Sequence, residues 1–231
     1  MESDAVSVDI WSMDLGLCSS LAEVGDILSP EEISRARRLP SDVRRRRYIV
    51  CHIALRIILS DYAEIESRNL KFLIDRHGKP AIDAEQNGRD IRFNLSHSSD
   101  KAIIAVAFGH EVGVDIEGVK AGGASLAVAE RYFSARELAS LRDVPDADRD
   151  LAFFTCWTRK EAYLKGRGEG LFVDLSGFDV SVVPREPAAL LASRIEPADV
   201  DCWKLFPVPT AMGYVATGAV QLTASSGQPL K

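Results

Sequence analysis

Two short motifs constrain the structure and function of this chain most, because they place charged side chains at positions where a folded core usually has apolar ones. In the first, residues 112–118, apolar side chains alternate with Asp115 and Glu117, and this period of two is typical of a half-buried strand. Side chains two residues apart on a strand share a face, with Cβ atoms roughly 7 Å apart. The two carboxylates can therefore lean toward one ion or ligand. A solvated face of an edge strand is the alternative, and this short motif alone does not exclude it.

The second motif lies on a predicted helix, Asp148–Lys165, and places Glu161 inside an apolar stripe. The stripe positions recur every three or four residues: Leu151, Phe154, Trp157, Glu161 and Leu164. A carboxylate in such a stripe is costly unless it is paired or bound to a metal. An ion pair with Lys165, one helical turn later, is the simpler alternative. The functional hypothesis is that Glu161 joins Asp115 and Glu117 around one cation while the lysines face anionic oxygens.

An all-oxygen ligand set favours Mg²⁺, with Mn²⁺ as its substitute. Zinc is not indicated. The cysteines and histidines show no C-x-x-C or H-x-x-x-H spacing; they are Cys18, Cys51, Cys156, Cys202, His52, His77, His97 and His110.

The charge of the chain is unevenly distributed. Seven arginines and one acid fall between Arg35 and Arg47, a local net charge of +6, while the remaining 21 basic and 33 acidic residues give −12. A basic island on an acidic body indicates a local anion site rather than general nucleic-acid binding. A solvated helix face is the alternative. Arginine suits phosphate because its planar guanidinium makes bidentate contacts.

The composition indicates an ordinary globular protein. Hydrophobic residues make up 46% of the 231 and charged residues 27%. No apolar run approaches the ~18 residues of a membrane span, and Met1–Asp9 holds acidic but no basic residues, unlike a signal peptide. We therefore expect a cytoplasmic protein with reduced cysteines and no membrane partner.

The order of elements predicts an α+β fold with mainly antiparallel sheets. Ser29, Pro30 and Glu32 form a helix start with a capping box, and Ser134 with Glu137 forms another. Strands are expected near residues 6–11, 70–74, 91–95, 102–108, 112–117, 177–183, 201–206 and 213–220. Ser96-His97-Ser98 is predicted to be part of a polar link, and Gly166–Gly170 a loop.

Five blocks, in order, give the chain a clear family likeness. They are residues 29–56 with the arginines, Gly78-Lys79-Pro80, Phe93-Asn94-Leu95-Ser96-His97-Ser98, Gly113-Val114-Asp115-Ile116-Glu117 and Trp157–Lys165. Together they span about 29 to 170, and the last two are highly specific when paired. On these motifs the chain resembles the Sfp-type 4′-phosphopantetheinyl transferases.

The resemblance implies a fold of two pseudo-twofold-related α+β halves, residues 1–110 and 111–231, with the active site in the cleft between them. Coenzyme A would lie in that cleft and an apo acyl or peptidyl carrier protein would receive its phosphopantetheine arm. We expect a monomer with no nucleic-acid partner. The implied Mg²⁺ ligands are Asp115, Glu117 and Glu161, and the implied catalytic residues are Glu161 and Lys165.

The resemblance also assigns contacts to coenzyme A. Those to the 3′-phosphoadenosine group are Arg35, Arg47 and His97, with Ser96 and Lys79 beside the nucleotide, and those to the pyrophosphate are Lys160 and Lys165. One departure from the family pattern is Gly118-Val119, which stands where many relatives carry a basic residue, at the edge that the resemblance assigns to the carrier protein.

Two other functions compete with transfer. A metal-dependent nuclease or phosphohydrolase also uses paired carboxylates with a nearby lysine, although the acidic remainder and the lack of aromatic residues among the arginines argue against it. A silent coenzyme A-binding module would have had no need to keep three carboxylates and both lysines.

Overall fold

The protein is described by a computed structural model that covers residues 6–16, 27–170 and 173–222. Its helices are α1 (Pro30–Arg37), α2 (Asp42–Ala63), α3 (Leu126–Tyr132), α4 (Ala135–Asp143), α5 (Arg149–Arg167) and α6 (Asp199–Cys202). Its strands are β1 (Val8–Asp14), β2 (Phe72–Ile74), β3 (Pro80–Ile82), β4 (Ile91–Ser98), β5 (Lys101–Phe108), β6 (Val112–Gly118), β7 (Phe178–Val180), β8 (Leu190–Ser193), β9 (Trp203–Pro207) and β10 (Tyr214–Gln221).

Two three-stranded antiparallel sheets organise the molecule. The first has the order β1-β5-β4 and the second β6-β10-β9, and the hairpin-like pairs β2-β3 and β7-β8 are also antiparallel. The first sheet comes from the N-terminal half of the chain and the second from the C-terminal half. The predicted α+β fold with two halves and mainly antiparallel sheets is therefore confirmed.

Strand β5 joins the cores of the two halves because both of its faces are buried. Ile104 and Val106 pack into the core formed with α2, β3 and β4. Ile103 and Ala105, on the opposite face, pack against apolar side chains of β6 and β10. A short apolar run bounded by turn residues is the pattern expected of such a strand.

The predicted helix starts are correct. Ser29 and Glu32 form a reciprocal capping box at α1, with Pro30 in its first turn, and Ser134 and Glu137 form another at α4. Each box satisfies two backbone amides that a helix start leaves without partners.

Helix α5 runs two residues further than predicted, so Gly166 is helical and the predicted loop begins too early. Gly168, in the left-handed region at φ 73°, ends the helix. Gly166 serves close packing instead, because a Cβ there would lie 2.5 Å from the Trp203 ring. Gly113 of β6 faces the same helix, and a Cβ on it would overlap the Ala162 carbonyl oxygen. The two glycines let β6 and α5 pack backbone to backbone.

The sequence prediction also failed in the first sheet. Strand β4 continues through Ser98, so Ser96, His97 and Ser98 belong to the strand rather than to a polar link. The short strands β3 and β8 were not predicted.

Three cysteines, Cys51, Cys156 and Cys202, are free thiols, and Cys18 lies outside the described residues. Burial raises the pKa of the Cys51 thiol to about 12, which makes it unreactive. In the portion of the chain that the structure describes, no helix is long and apolar enough to cross a membrane.

Candidate active site

Strand β6 carries two of the predicted metal ligands on one face, as its period of two requires. Asp115 is buried and Glu117 half-buried. Their carboxylates accept hydrogen bonds from the hydroxyls of Ser96 and Ser98 on β4, at 2.9 and 2.8 Å. Burial raises the pKa of both carboxyl groups, and these hydrogen bonds oppose the shift.

Helix α5 brings Lys165 to the same place. Its Nζ lies 2.5 Å from Asp115 Oδ1 and 3.0 Å from Ser96 Oγ. The positive charge lowers the pKa of Asp115 and offsets part of the effect of burial. The predicted lysine and the predicted metal ligand, fifty residues apart in the chain, are therefore in direct contact.

Glu161 lies one turn before Lys165 and is half-buried. Burial raises the pKa of its carboxyl group, and the negative charges of Asp115 and Glu117 raise it further, while Lys165 lowers it. The Coulomb energy of two charges grows as their separation shrinks, so groups that shift one another's pKa lie near each other. The structure thus gathers Asp115, Glu117, Glu161 and Lys165 into one electrostatic cluster.

The fit of this cluster to a divalent cation can be judged from its oxygens. Asp115 Oδ2 is buried and has no hydrogen-bond partner among the residues that the structure describes, an energetically costly state that a cation would relieve. The donors are all carboxylate oxygens, as Mg²⁺ prefers. Among residues 6–16, 27–170 and 173–222, however, no three His, Cys, Asp or Glu side chains are closed into a metal-ligand group. The residues fit a hard cation by chemistry, and binding it requires their oxygens to move together.

A positive region borders the carboxylates. His97 is exposed on β4, and partial desolvation together with the charges of Lys165 and Arg47 lowers the pKa of its imidazole. His97 and Arg35 in turn lower the pKa of His52 on α2, after the larger effect of burial. The charges of Lys165 and Arg47 therefore act on His97, and those of Arg35 and His97 act on His52.

Lys79 is engaged within the protein. Its Nζ donates to Glu111 Oε2 at 2.7 Å, to the Gly166 carbonyl at 2.8 Å and to the Val112 carbonyl at 3.3 Å. It therefore links the turn before β3 to the start of β6 and the end of α5. A contact with a nucleotide, as predicted, would have to compete with these three oxygens.

Lys160 does not face this cluster, contrary to the expected contact with pyrophosphate. It is fully buried and its Nζ binds both carboxylate oxygens of Glu137 and the Phe178 carbonyl. The physical reason is helix geometry: neighbouring residues point about 100° apart, so Glu161 and Lys160 face different sides of α5. The sequence motif contains the charge of Lys160 but gives no sign that Glu137 of α4 is its ion-pair partner.

The contacts of Ser98 and Asn94 were missed by the sequence analysis. Both point from β4 to β6, Ser98 toward Glu117 and Asn94 toward the Val114 amide. Their alternation with Ser96 was the available signal, because positions two apart on a strand share a face.

Two family models cover most of the chain. The 4′-phosphopantetheinyl transferase superfamily matches residues 111–218, and the N-terminal region of 4′-phosphopantetheinyl transferases matches residues 17–108.

Individual relatives agree with the family models. The 4′-phosphopantetheinyl transferase HetI of a Nostoc species is 35% identical over 184 residues, which cover 79% of this chain and 77% of HetI. The transferase psf-1 of Bacillus pumilus is 30% identical over 188 residues, 81% of this chain and 78% of psf-1. Sfp of Bacillus subtilis is 29% identical over 153 residues, 66% of each chain. On this similarity the chain belongs, as an enzyme, to the Sfp-like 4′-phosphopantetheinyl transferase family.

Proposed function

We propose that this enzyme transfers the 4′-phosphopantetheine arm of coenzyme A to a serine of an acyl or peptidyl carrier protein and releases adenosine 3′,5′-bisphosphate. One observation supports the proposal most: Lys165 contacts the Asp115 carboxylate at 2.5 Å, and its positive charge also acts on Glu161 and on His97. A phosphate-rich cofactor with a bound cation needs carboxylates and positively charged groups side by side.

The positive region would hold the phosphates. Arg47 and His97 would take the 3′-phosphate, with Arg35 beside them and the Ser96 hydroxyl nearby. The guanidinium groups suit this role because they offer several N–H donors in a planar fork. Lys165 would turn from Asp115 to the pyrophosphate, which carries more negative charge.

The carboxylates would hold Mg²⁺, with Asp115, Glu117 and Glu161 as its protein ligands. Bound there, the ion supplies charge neutralisation for the pyrophosphate and for the equatorial oxygens of the transferring phosphorus. The unpartnered oxygen of Asp115 supports this assignment. Lys165 compensates the charge of Asp115 in the structure, and it would be available to contact the substrate if a cation neutralised that carboxylate.

The chemical step exchanges one phosphorus–oxygen bond for another. The carrier serine oxygen bonds to the β-phosphorus of coenzyme A, and the bond from that phosphorus to the bridging oxygen breaks. Glu161, half-buried and one turn before Lys165, would take the serine proton, directly or through water. Lys165 stabilises the leaving phosphate through a charged hydrogen bond.

We further propose residues 1–110 and 111–231 as the two halves, with coenzyme A between them, and a cytoplasmic monomer as the working enzyme. The order of strands supports this division, because each three-stranded sheet draws its strands from one half. The acidic body outside residues 35–47 disfavours nucleic acid as a substrate.

The test is to incubate the protein with coenzyme A, Mg²⁺ and a panel of apo carrier proteins, and to measure intact carrier mass. A gain of one phosphopantetheine arm supports transfer. Binding of coenzyme A with no gain on any carrier would favour a silent binding module. Cleavage of DNA or RNA in a parallel incubation would favour the nuclease.

A further inference from the structure

Strands β4 and β6 meet at the edges of two different sheets, and side chains rather than a backbone ladder join them. Asn94 Oδ1 accepts the Val114 amide at 3.0 Å. Ser96 Oγ accepts the Ile116 amide at 3.4 Å, and Ser98 Oγ accepts the Gly118 amide at 3.2 Å. We call these three contacts the β4–β6 seam.

The register of the seam is uniform. Each of its three hydrogen bonds joins residues 20 apart in the chain. A constant separation means that the strands run in the same direction and advance together, two residues at a time. The seam therefore has no bulge or slip along its length.

The seam provides hydrogen-bond acceptors for backbone amides of β6 that point away from its own sheet. In an antiparallel pair, alternate residues bond to the partner strand and the intervening amides point away from it. Among the described strands, β6 has one ladder partner, β10, which lies on one side of it. Its outward amides are in a buried place, where an unpaired N–H is costly. The short side chains of β4 supply the acceptors that a neighbouring backbone would otherwise provide.

The same side chains also hold the carboxylates. A serine hydroxyl has one donor and two acceptor positions. Ser96 donates to Asp115 and accepts from Lys165 and from the Ile116 amide, which uses all three positions. Ser98 donates to Glu117 while accepting the Gly118 amide. Among the hydrogen bonds of the described residues, Asn94 makes one to the backbone of β6 and none to a carboxylate.

We propose that the β4–β6 seam sets the position of the metal-binding carboxylates, and that Asn94 and Ser98 are positioning residues for the transfer reaction. The proposal rests on the proposed role of Asp115 and Glu117 as metal ligands. The physical reason is register: a slip of one residue turns every side chain of a strand to its other face. Asn94 fixes the start of β6, and Ser98 fixes its end.

The first measurement is amide hydrogen exchange in Asn94→Ala and Asn94→Ser. The serine variant keeps an oxygen acceptor like those of Ser96 and Ser98, and the alanine variant lacks it. We expect the Val114 amide to exchange about tenfold faster in Asn94→Ala, since a buried hydrogen bond is lost. In Asn94→Ser the exchange rate of the Val114 amide should stay within about twofold of the wild-type rate. The exchange rates of the β5 amides should be unchanged in both variants.

The second measurement is the affinity for Mn²⁺ alone, read by electron paramagnetic resonance. Asn94→Ala should bind Mn²⁺ about tenfold more weakly and Asn94→Ser about as well as the wild type. If Asn94→Ala does not fold, Ser98→Ala and Ser98→Thr provide the same comparison at the other end, with the Gly118 amide as the probe. Threonine keeps the hydroxyl and suits a strand.

Unchanged exchange of Val114 in Asn94→Ala, or of Gly118 in Ser98→Ala, would overturn the seam itself. If the alanine variants show faster amide exchange but bind Mn²⁺ as tightly as the wild type, the positioning role of the seam is overturned. A wild-type protein that binds no Mn²⁺ would overturn that role as well. A wild-type protein that binds Mn²⁺ and shows the exchange pattern, yet modifies no carrier, would support the seam while contradicting the proposed function.

Discussion

The amine of Lys160 lies 2.7 Å from both carboxylate oxygens of Glu137, and neither side chain has any exposure to solvent. Glu137 also accepts the backbone amides of Ser134 and Val180, and Lys160 donates to the Phe178 carbonyl. The pair thus ties α4, α5 and β7 together. Lys160 and Glu161 are adjacent in the chain, but Lys160 is buried in the core, whereas Glu161 interacts electrostatically with Asp115 and Glu117.

This arrangement predicts that Lys160→Met destabilises the protein. Removing one partner leaves the other charge buried and unpaired, so the free energy of unfolding should fall by about 3–5 kcal/mol in urea denaturation. In the double variant Lys160→Met/Glu137→Leu the free energy of unfolding should fall by less, because no unpaired charge remains buried. Wild-type stability of Lys160→Met combined with a raised KM for coenzyme A would instead return Lys160 to the cofactor site.

Gly113→Ala should destabilise the protein and impair transfer, because Gly113 lies where β6 packs against α5. The new Cβ would overlap the backbone of Ala162 and Gly166, which cannot rotate away as a side chain can. We expect the free energy of unfolding to fall by about 1–3 kcal/mol or more, together with a loss of transfer, because β6 must shift away from α5.

Gly88→Ala is the matched control for Gly113→Ala. No atom of the described residues lies within 4 Å of a Cβ at that position, so stability should be unchanged or slightly increased. Equal stability of the two variants in thermal denaturation would show that the close approach of β6 to α5 is unimportant.

His97 should report on phosphate binding. Desolvation and the nearby Lys165 hold its pKa below the usual 6.5, so the imidazole is neutral at pH 7. Because the pKa of His97 is lower in the folded than in the unfolded protein, the neutral imidazole favours the folded state near neutral pH. This contribution to the free energy of unfolding is lost as the pH falls from the unfolded-state pKa toward the folded-state pKa. Adenosine 3′,5′-bisphosphate should raise this pKa, since a phosphate favours imidazolium.

By linkage, binding of that nucleotide should tighten as the pH falls from 7 to 6. Imidazole nitrogen shifts in nuclear magnetic resonance titrations measure both effects. His110, which contacts the Gln221 carbonyl far along the chain, serves as the internal control and should not respond to the ligand. A His97 pKa at or above 6.5 in the free protein, or one that the nucleotide leaves unmoved, would contradict its assignment.

The helix starts and the face of β6 could be predicted because their causes are local. Ser29 and Glu32 cap α1 through contacts three residues apart, and the alternation around Asp115 is a property of any strand. Other features depend on distant partners. Strand β4 continues through Ser98 in its ladder with β5, where its serines also bond to β6. Lys160 is buried with Glu137, 23 residues earlier, as its counter-ion. Gly166 resembles a helix breaker in sequence and is required by the ring of Trp203.

The most direct test of the account is the intact mass of an apo carrier protein after incubation with coenzyme A, Mg²⁺ and either the wild type or Glu161→Gln. Glu85→Gln, at an exposed position, is the matched control. We predict that the wild type and Glu85→Gln add one phosphopantetheine arm, while Glu161→Gln is at least about 10²-fold slower with an unchanged circular dichroism spectrum. Transfer by Glu161→Gln at a rate near that of the wild type, or no mass gain with the wild type, would contradict the account.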